Sequence, residues 1–281
     1  MATPDRAELL RRLEASEKML TAIGLRSPSG FYDRRHAKKL EEVLGFSEQV
    51  LAVVADAFAD KAPVILDCSC GKSYLSFVLN YLLADVLGKQ CSFIGTDTNP
   101  KLIARCDEIR AALGFENMEF HRARTIEFMP GRPVDIVLAL HACDTATDEA
   151  IAKGIQLGAR YILVVPCCQN QIRGQIKAGH PLVNLTEFGP IRYALANLLT
   201  DALRALFLRG AGYDVKLNEI VPPKLTPKNI MILARRMKKP RRSGMADYER
   251  LRDFFDVHPR IEDCFPPKAD GVTALTRPAE V

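Results

Sequence analysis

Apolar positions along this chain recur with two different periods, and the change comes near residue 61. Before it, Leu9, Leu10, Leu13 and Leu20 recur at helical spacing among charged residues, which predicts one amphipathic helix over 5–23. Ser27-Pro28-Ser29-Gly30 ends that pattern, and a second helical stretch is expected over 33–60. Beyond residue 61, short apolar runs alternate with longer amphipathic ones. The runs predict strands at 64–67, 91–97, 118–122, 134–140 and 161–166. Helices are expected at 73–87, 100–113, 146–157 and near 191–210, with only a connection at 124–129 after the third strand.

Two last apolar runs, 213–221 and 229–237, flank Pro222-Pro223-Lys224-Leu225-Thr226-Pro227-Lys228. That connector is too short for a crossover helix, so these strands should be antiparallel neighbours. Five strand–helix units closed by an antiparallel hairpin predict an α/β Rossmann-like fold with a mostly parallel seven-stranded sheet. A dehydrogenase would continue with parallel strands instead. The organisation expected is a helical cap at 1–60, the α/β domain at 61–239, and a basic linker, short helix and Pro-rich tail at 240–281. No internal repeat is evident.

With 281 residues, 48% of them hydrophobic, the chain can bury a sizeable core. No apolar run reaches membrane-spanning length and the first residues lack a signal-peptide core, so a cytoplasmic protein without a membrane partner is expected. Eight cysteines in that setting suggest thiols rather than disulfides. Net charge is only +5, yet it is unevenly spread. Basic residues gather at 34–39 and again at 224–242, where no acid interrupts them. Such runs fit a solvated linker or contacts to a polyanion, with RNA the favoured partner.

The chemistry concentrates at strand ends. Val64-Ile65-Leu66-Asp67 passes through Cys68-Ser69-Cys70-Gly71-Lys72-Ser73 into a helix, and the next strand closes on Thr96-Asp97. Strand, small-residue turn, helix, strand and acid make a nucleotide-binding half. Three glycines at dinucleotide spacing are missing, and a carboxylate at Asp67 would repel a pyrophosphate while suiting an amino group.

The turn resembles motif I of the class I S-adenosylmethionine methyltransferases, whose usual form is Asp-x-Gly-x-Gly; Ser69 stands for the first glycine. The hairpin-closed strand layout is that family's too. The resemblance implies S-adenosyl-L-methionine as cofactor. Asp67, Cys68, Ser69 and Gly71 would line its methionine part, Lys72 would meet the carboxylate, Asp97 the ribose diol, and Thr98 or Asn99 the adenine. No acid follows the third strand, so the adenine contact there would use backbone or Thr125.

In this family the loop after strand four abuts the transferable methyl. Here it reads Leu140-His141-Ala142-Cys143-Asp144. Leu140 would border the cofactor, and His141 is either a base or a structural histidine. Cys68, Cys70, Cys143, Cys167 and Cys168 all fall at the ends of strands one, four and five, so they should surround one cleft. They could be packing residues, a Cys167 nucleophile, or thiols joining His141 on zinc, although no C-x-x-C pair exists; no metal site is expected.

A narrower resemblance rests on His-Ala-Cys-Asp, Ala146-Thr147-Asp148 and Pro166-Cys167-Cys168-Gln169. It is similar to a methyltransferase group found in bacterial proteins and in a glutathione-S-transferase-C-terminal-domain-containing protein, and to eukaryotic tRNA 2′-O-methyltransferases. Asp144 and Gln169 depart from that group's usual glycine and histidine or tyrosine. The implied activity is methyl transfer to RNA, tRNA or rRNA. Methylation of a small molecule or protein, or a non-catalytic cofactor- and RNA-binding module, stays open.

Overall fold

The computed structural model describes residues 4–27, 34–167, 169–176, 182–238 and 244–265. Three helices precede the sheet: α1 (Arg6–Glu14), α2 (Glu17–Ala22) and α3 (Arg34–Ala57). The single helix expected over 5–23 is therefore two. Ser16 leaves helical geometry (φ −94°, ψ 54°), and the resulting bend lets Leu9 and Leu13 of α1 join Met19 and Leu20 of α2 in one core.

All seven expected strands are present. In chain order the elements are β1 (Val64–Cys68), α4 (Tyr74–Leu87), β2 (Ser92–Asp97), α5 (Pro100–Leu113), β3 (Met118–Arg122), β4 (Ile136–Leu140), α6 (Thr145–Gln156) and β5 (Tyr161–Val165). The short helices α7 (Asn170–Arg173) and α8 (Val183–Thr186) follow, then α9 (Gly189–Gly210), β6 (Tyr213–Glu219), β7 (Ile230–Arg236), α10 (Gly244–Phe255) and a 3₁₀ turn at Arg260–Cys264. The sheet order is β3-β2-β1-β4-β5-β7-β6, and β7 alone runs antiparallel. Strands β4 and β5 are nearly continuous apolar runs because helices cover both faces. The order reverses at β1 and β4, so the crevice outside their carboxyl ends is where this topology takes ligands.

One face of the sheet packs against α1–α5 through residues such as Leu44, Phe46, Phe77 and Ile65. The other packs against α6, α9 and α10 through Ile151, Phe207 and Tyr248. Residues 244–265, expected as a short helix and the start of the tail, form α10 and the 3₁₀ turn and belong to this second layer: the Phe207 ring meets Tyr248 edge-on at 5.2 Å. The basic run 239–242 and the tail beyond 265 lie outside the described residues.

Helix α3 runs alongside the strands, and Gly45 decides how closely. A Cβ there would sit 2.0 Å from the Ile220 carbonyl oxygen, so any other residue would push the helix off the β6–β7 connection. Arg6 reinforces the joint, donating to Ile220 O at 2.7 Å and pairing with Glu48. The C-terminal end of α3 reaches the start of β5, where Arg160 donates to Ala57 O. Its first turns therefore stand over the carboxyl ends of the central strands. Among the described residues no helix is long and apolar enough to cross a membrane.

Candidate active site

The β1–α4 turn is built from left-handed residues. Ser69, Gly71 and Ser73 have φ of 53°, 57° and 54°. A serine in this region costs about 1 kcal/mol relative to glycine, so Ser69 keeps the glycine geometry at modest strain. The turn is tied to β2: Cys70 N donates to Thr96 O and Gly71 N to Asp97 Oδ2, each at 2.9 Å. Asp97 Oδ1 takes the Asn99 N–H at 2.9 Å. Each oxygen of this half-buried carboxylate thus keeps capacity to accept a further hydrogen bond.

Asp67 is only 3% exposed and accepts a 2.6 Å hydrogen bond from Ser76. Burial pushes its carboxyl up to about 7, against the lowering effect of Ser76, with Asp97 adding to the rise. Nearby, Ser73 Oγ is buried with no hydrogen-bond partner among the described residues. A buried carboxyl beside a strained turn is an acceptor that a cationic amino group would satisfy.

Of the other residues singled out at this edge, Cys68 is fully buried, away from solvent. Lys72 is exposed, its ammonium 5.8 Å from the Tyr74 ring. Thr98 is exposed, while Asn99 caps α5 by accepting from Lys101 N. Thr125 is buried with its hydroxyl 3.4 Å from that of Thr96. Leu140 is half-buried at the end of β4.

His141 follows it with φ 62°, its N–H donating to Val165 O across to β5. The imidazole Nε2 lies 2.9 Å from Oε2 of Glu42, on the first turns of α3. Glu42 is 5% exposed. Burial alone would raise its pKa, but the His141 bond and the charges of Lys39 and Lys38, 3.7 and 3.9 Å away, hold it below the usual range. An ionised Glu42 makes Nε2 the protonated nitrogen, leaving Nδ1 of a neutral ring as the free acceptor. Burial lowers the Lys39 ammonium, which feels the charges of Glu42, Cys167 and Asp67. Lys38 and Lys39, read from sequence as part of a basic surface, thus reach into the site.

The thiols do not form one ring. Cys143 and Cys167 pair with their sulfurs 3.3 Å apart at the ends of β4 and β5. Cys70 instead shares a thiol hydrogen bond with Cys106 of α5. Cys168 lies outside the described residues. Among those described, no group of three or more His, Cys, Asp or Glu side chains is placed to hold a metal.

The loops after β4 and β5 share one anchor, Arg204 of α9. It donates to both oxygens of Asp148 at 2.9 and 2.8 Å and to Asp144 O at 3.0 Å, and it meets Asp201 at 3.4 Å. Asp201 in turn accepts from Gln169 at 3.2 Å. Asp144 has φ 50° and ψ −114°, a conformation that favours glycine, so the loop is held rather than relaxed. Neither Glu42 nor Arg204 stands out in sequence. Arg204 is a lone charge in the apolar stretch 203–208, whereas Glu42 sits beside Glu41 in 40–46 and carries no signal of its own.

The basic stretch 224–242 divides. Lys228 lies 5.0 Å from the Tyr193 ring, which Arg173 approaches at 5.7 Å, near the carboxyl end of β5. Arg235 pairs in register with Tyr161 at the opposite end of that strand.

A family model described as a methyltransferase domain matches residues 38–175. The chain is similar to the glutathione S-transferase C-terminal domain-containing protein of Homo sapiens, 25% identical over 193 residues, covering 60% of this chain and 29% of that protein. Its homolog from Drosophila pseudoobscura pseudoobscura is 24% identical over 238 residues, covering 73% of this chain and 39% of that protein. The chain spans well under half the length of either relative. Among solved structures it is similar to magnesium protoporphyrin IX methyltransferase from Synechocystis with bound S-adenosylmethionine, with 14% identity, a TM-score of 0.46, and 84% of this chain and all of that one covered. An rRNA methylase from Streptococcus thermophilus gives 11% identity and a TM-score of 0.45, covering 68% of this chain and 96% of that one. Residues 38–175, which carry Glu42, Asp67, Asp97 and His141, therefore match a methyltransferase domain, and the chain is similar to methyltransferases over that stretch.

Proposed function

We propose that this methyltransferase modifies RNA, with His141 accepting the proton of the nucleophile. The observation that carries the catalytic part is the 2.9 Å contact between His141 and the buried, ionised Glu42. S-adenosylmethionine supplies an electrophilic methyl on a sulfonium. The protein's own work is placement and proton removal. Asp67 holds the amino group of the methionine part against a turn shaped by Cys68, Ser69 and Gly71, and Asp97 accepts from the ribose hydroxyls with its remaining lone pairs. Lys39, whose charge acts on Asp67, suits the methionine carboxylate better than the exposed Lys72 does. Glu42 orients the imidazole and stabilises it when it gains a proton at Nδ1. Such a base is worth about 10²–10⁴ in rate, and positioning supplies most of the rest.

RNA as acceptor is supported by the surface beside the β5 end. The exposed Tyr193 ring with Arg173 at 5.7 Å combines an aromatic face with a cation, the chemistry that stacks a base and meets its phosphate, while the Lys228 ammonium 5.0 Å from the same ring is buried. Phe188, 55% exposed, adds apolar surface on the same helix. The test is methyl-labelled cofactor offered with RNA, protein and small-metabolite fractions from cells lacking the chain, followed by nucleoside mass spectrometry. Label in a nucleoside supports the reading. Label only in protein or in small metabolites overturns the RNA acceptor while leaving the methyltransferase intact.

A further inference from the structure

The cationic end of β7 faces away from the methyl-transfer cleft. Because β7 is antiparallel to β5, Arg235, Arg236 and Lys238 gather at the amino end of β5. Tyr161 there and Cys167 at the cleft are six positions apart, roughly 20 Å of extended chain. At that far end Arg160, Arg235, Arg236 and Lys238, with Asp56 and Tyr161, line an open cavity of about 700 Å³.

Two of its guanidinium groups are already oriented. Arg160 donates to Ala57 O at 2.6 Å and stacks over the Phe58 ring at 4.9 Å. Arg236 donates to Gly158 O at 2.9 Å. Carbonyl partners fix a guanidinium without neutralising it. Each arginine has five N–H donors, so most stay available. Among the described residues no carboxylate lies within ion-pairing distance of Arg160, Arg236 or Lys238, while Arg235 meets Asp214 at 3.4 Å. Four cations therefore surround the one carboxylate of Asp56 in this lining.

We propose that this cavity is a second, non-catalytic site that binds phosphate groups of the RNA on the flank of the nucleotide being methylated. The inference rests on the RNA reading above. Planar, pre-oriented guanidinium forks match phosphate oxygens bidentately, which lysines alone do not. The location argues for a polymer: only an extended polyanion occupies both this cavity and the cleft at the other end of β5.

The test is a double variant, Arg235→Gln with Lys238→Gln, which leaves the carbonyl-bonded Arg160 and Arg236 in place. Its probe is a fluorescein-labelled single-stranded RNA long enough to span both ends of the sheet, followed by anisotropy across a salt series. The expected result is affinity about tenfold weaker at low salt and a log–log salt slope flatter by roughly 1.4, two charges at about 0.7 each. S-adenosylhomocysteine affinity, measured by calorimetry, should be unchanged and shows that the variant is folded. Wild-type RNA affinity and slope retained in the variant overturn the proposal. So does inorganic tripolyphosphate binding to the wild type and not to the variant while RNA binding stays equal in both, which assigns the cavity to a free polyphosphate. Failure of the underlying RNA reading looks different: the wild type itself then shows no RNA affinity at low salt.

Discussion

Asp67 is the group whose ionisation should report cofactor binding. Burial raises its carboxyl from the ordinary 3.8 to about 7, although Ser76 donates a hydrogen bond to it. If the amino group of the cofactor sits against this side chain, binding selects the ionised form. With a pKa near 7, only ~3% of Asp67 is ionised at pH 5.5 and ~75% at pH 7.5. Affinity for S-adenosylhomocysteine should then rise about 25-fold across that interval, roughly 1.9 kcal/mol, with close to one proton released at the acid end. Calorimetry in two buffers of different ionisation heat measures both quantities. Asp67→Asn should bind more weakly at pH 7.5 and lose the pH dependence.

Stability gives the opposite slope in the free protein. The folded-state pKa lies above the unfolded one, so the folded chain keeps a proton that the unfolded chain has lost. Stability should therefore fall as pH rises from about 4 to 7 and level off above that. Asp67→Asn should remove that fall and be the more stable form at pH 8. Cofactor affinity that is flat from pH 5.5 to 7.5 without proton release, or a pH dependence that survives in Asp67→Asn, refutes the assignment.

Other outcomes follow from the same geometry. His141→Ala should keep S-adenosylhomocysteine binding and lose about 10²–10⁴ in single-turnover rate, while Glu42→Gln should lose less and shift the acidic limb of the rate profile. Equal rates in wild type and His141→Ala would leave positioning as the whole mechanism. Removing the buried guanidinium in Arg204→Leu leaves Asp148 unpaired and should cost about 3–5 kcal/mol in a urea titration. Asp97→Ala should weaken S-adenosylhomocysteine by about 1.5–3 kcal/mol, because it removes both ribose contacts and the acceptor of the Gly71 N–H.

What the amino-acid sequence determined by itself is the order and type of the elements. Seven apolar runs became seven strands because each is short and bounded by turn residues, and the seven-residue connector before β7 left no room for a parallel return. The strand-end carboxylates Asp67 and Asp97 were legible for the same local reason, since each closes an apolar run. The break at Ser16 was not, because the apolar spacing continues across it and only packing of both segments against one core reveals the bend. Glu42 and His141 are 99 residues apart, and nothing local pairs them. The close approach of α3 to Ile220 at Gly45, together with the return of the chain from β3 that sets β4 beside β1, brings the two side chains together. The basic run was read as one feature, yet antiparallel pairing carries Arg235 to one end of β5 while Lys228 stays near the other. Local patterns specify which residues end a strand. Which strand ends and helix turns meet depends on sheet order and helix approach, and only the folded chain sets those.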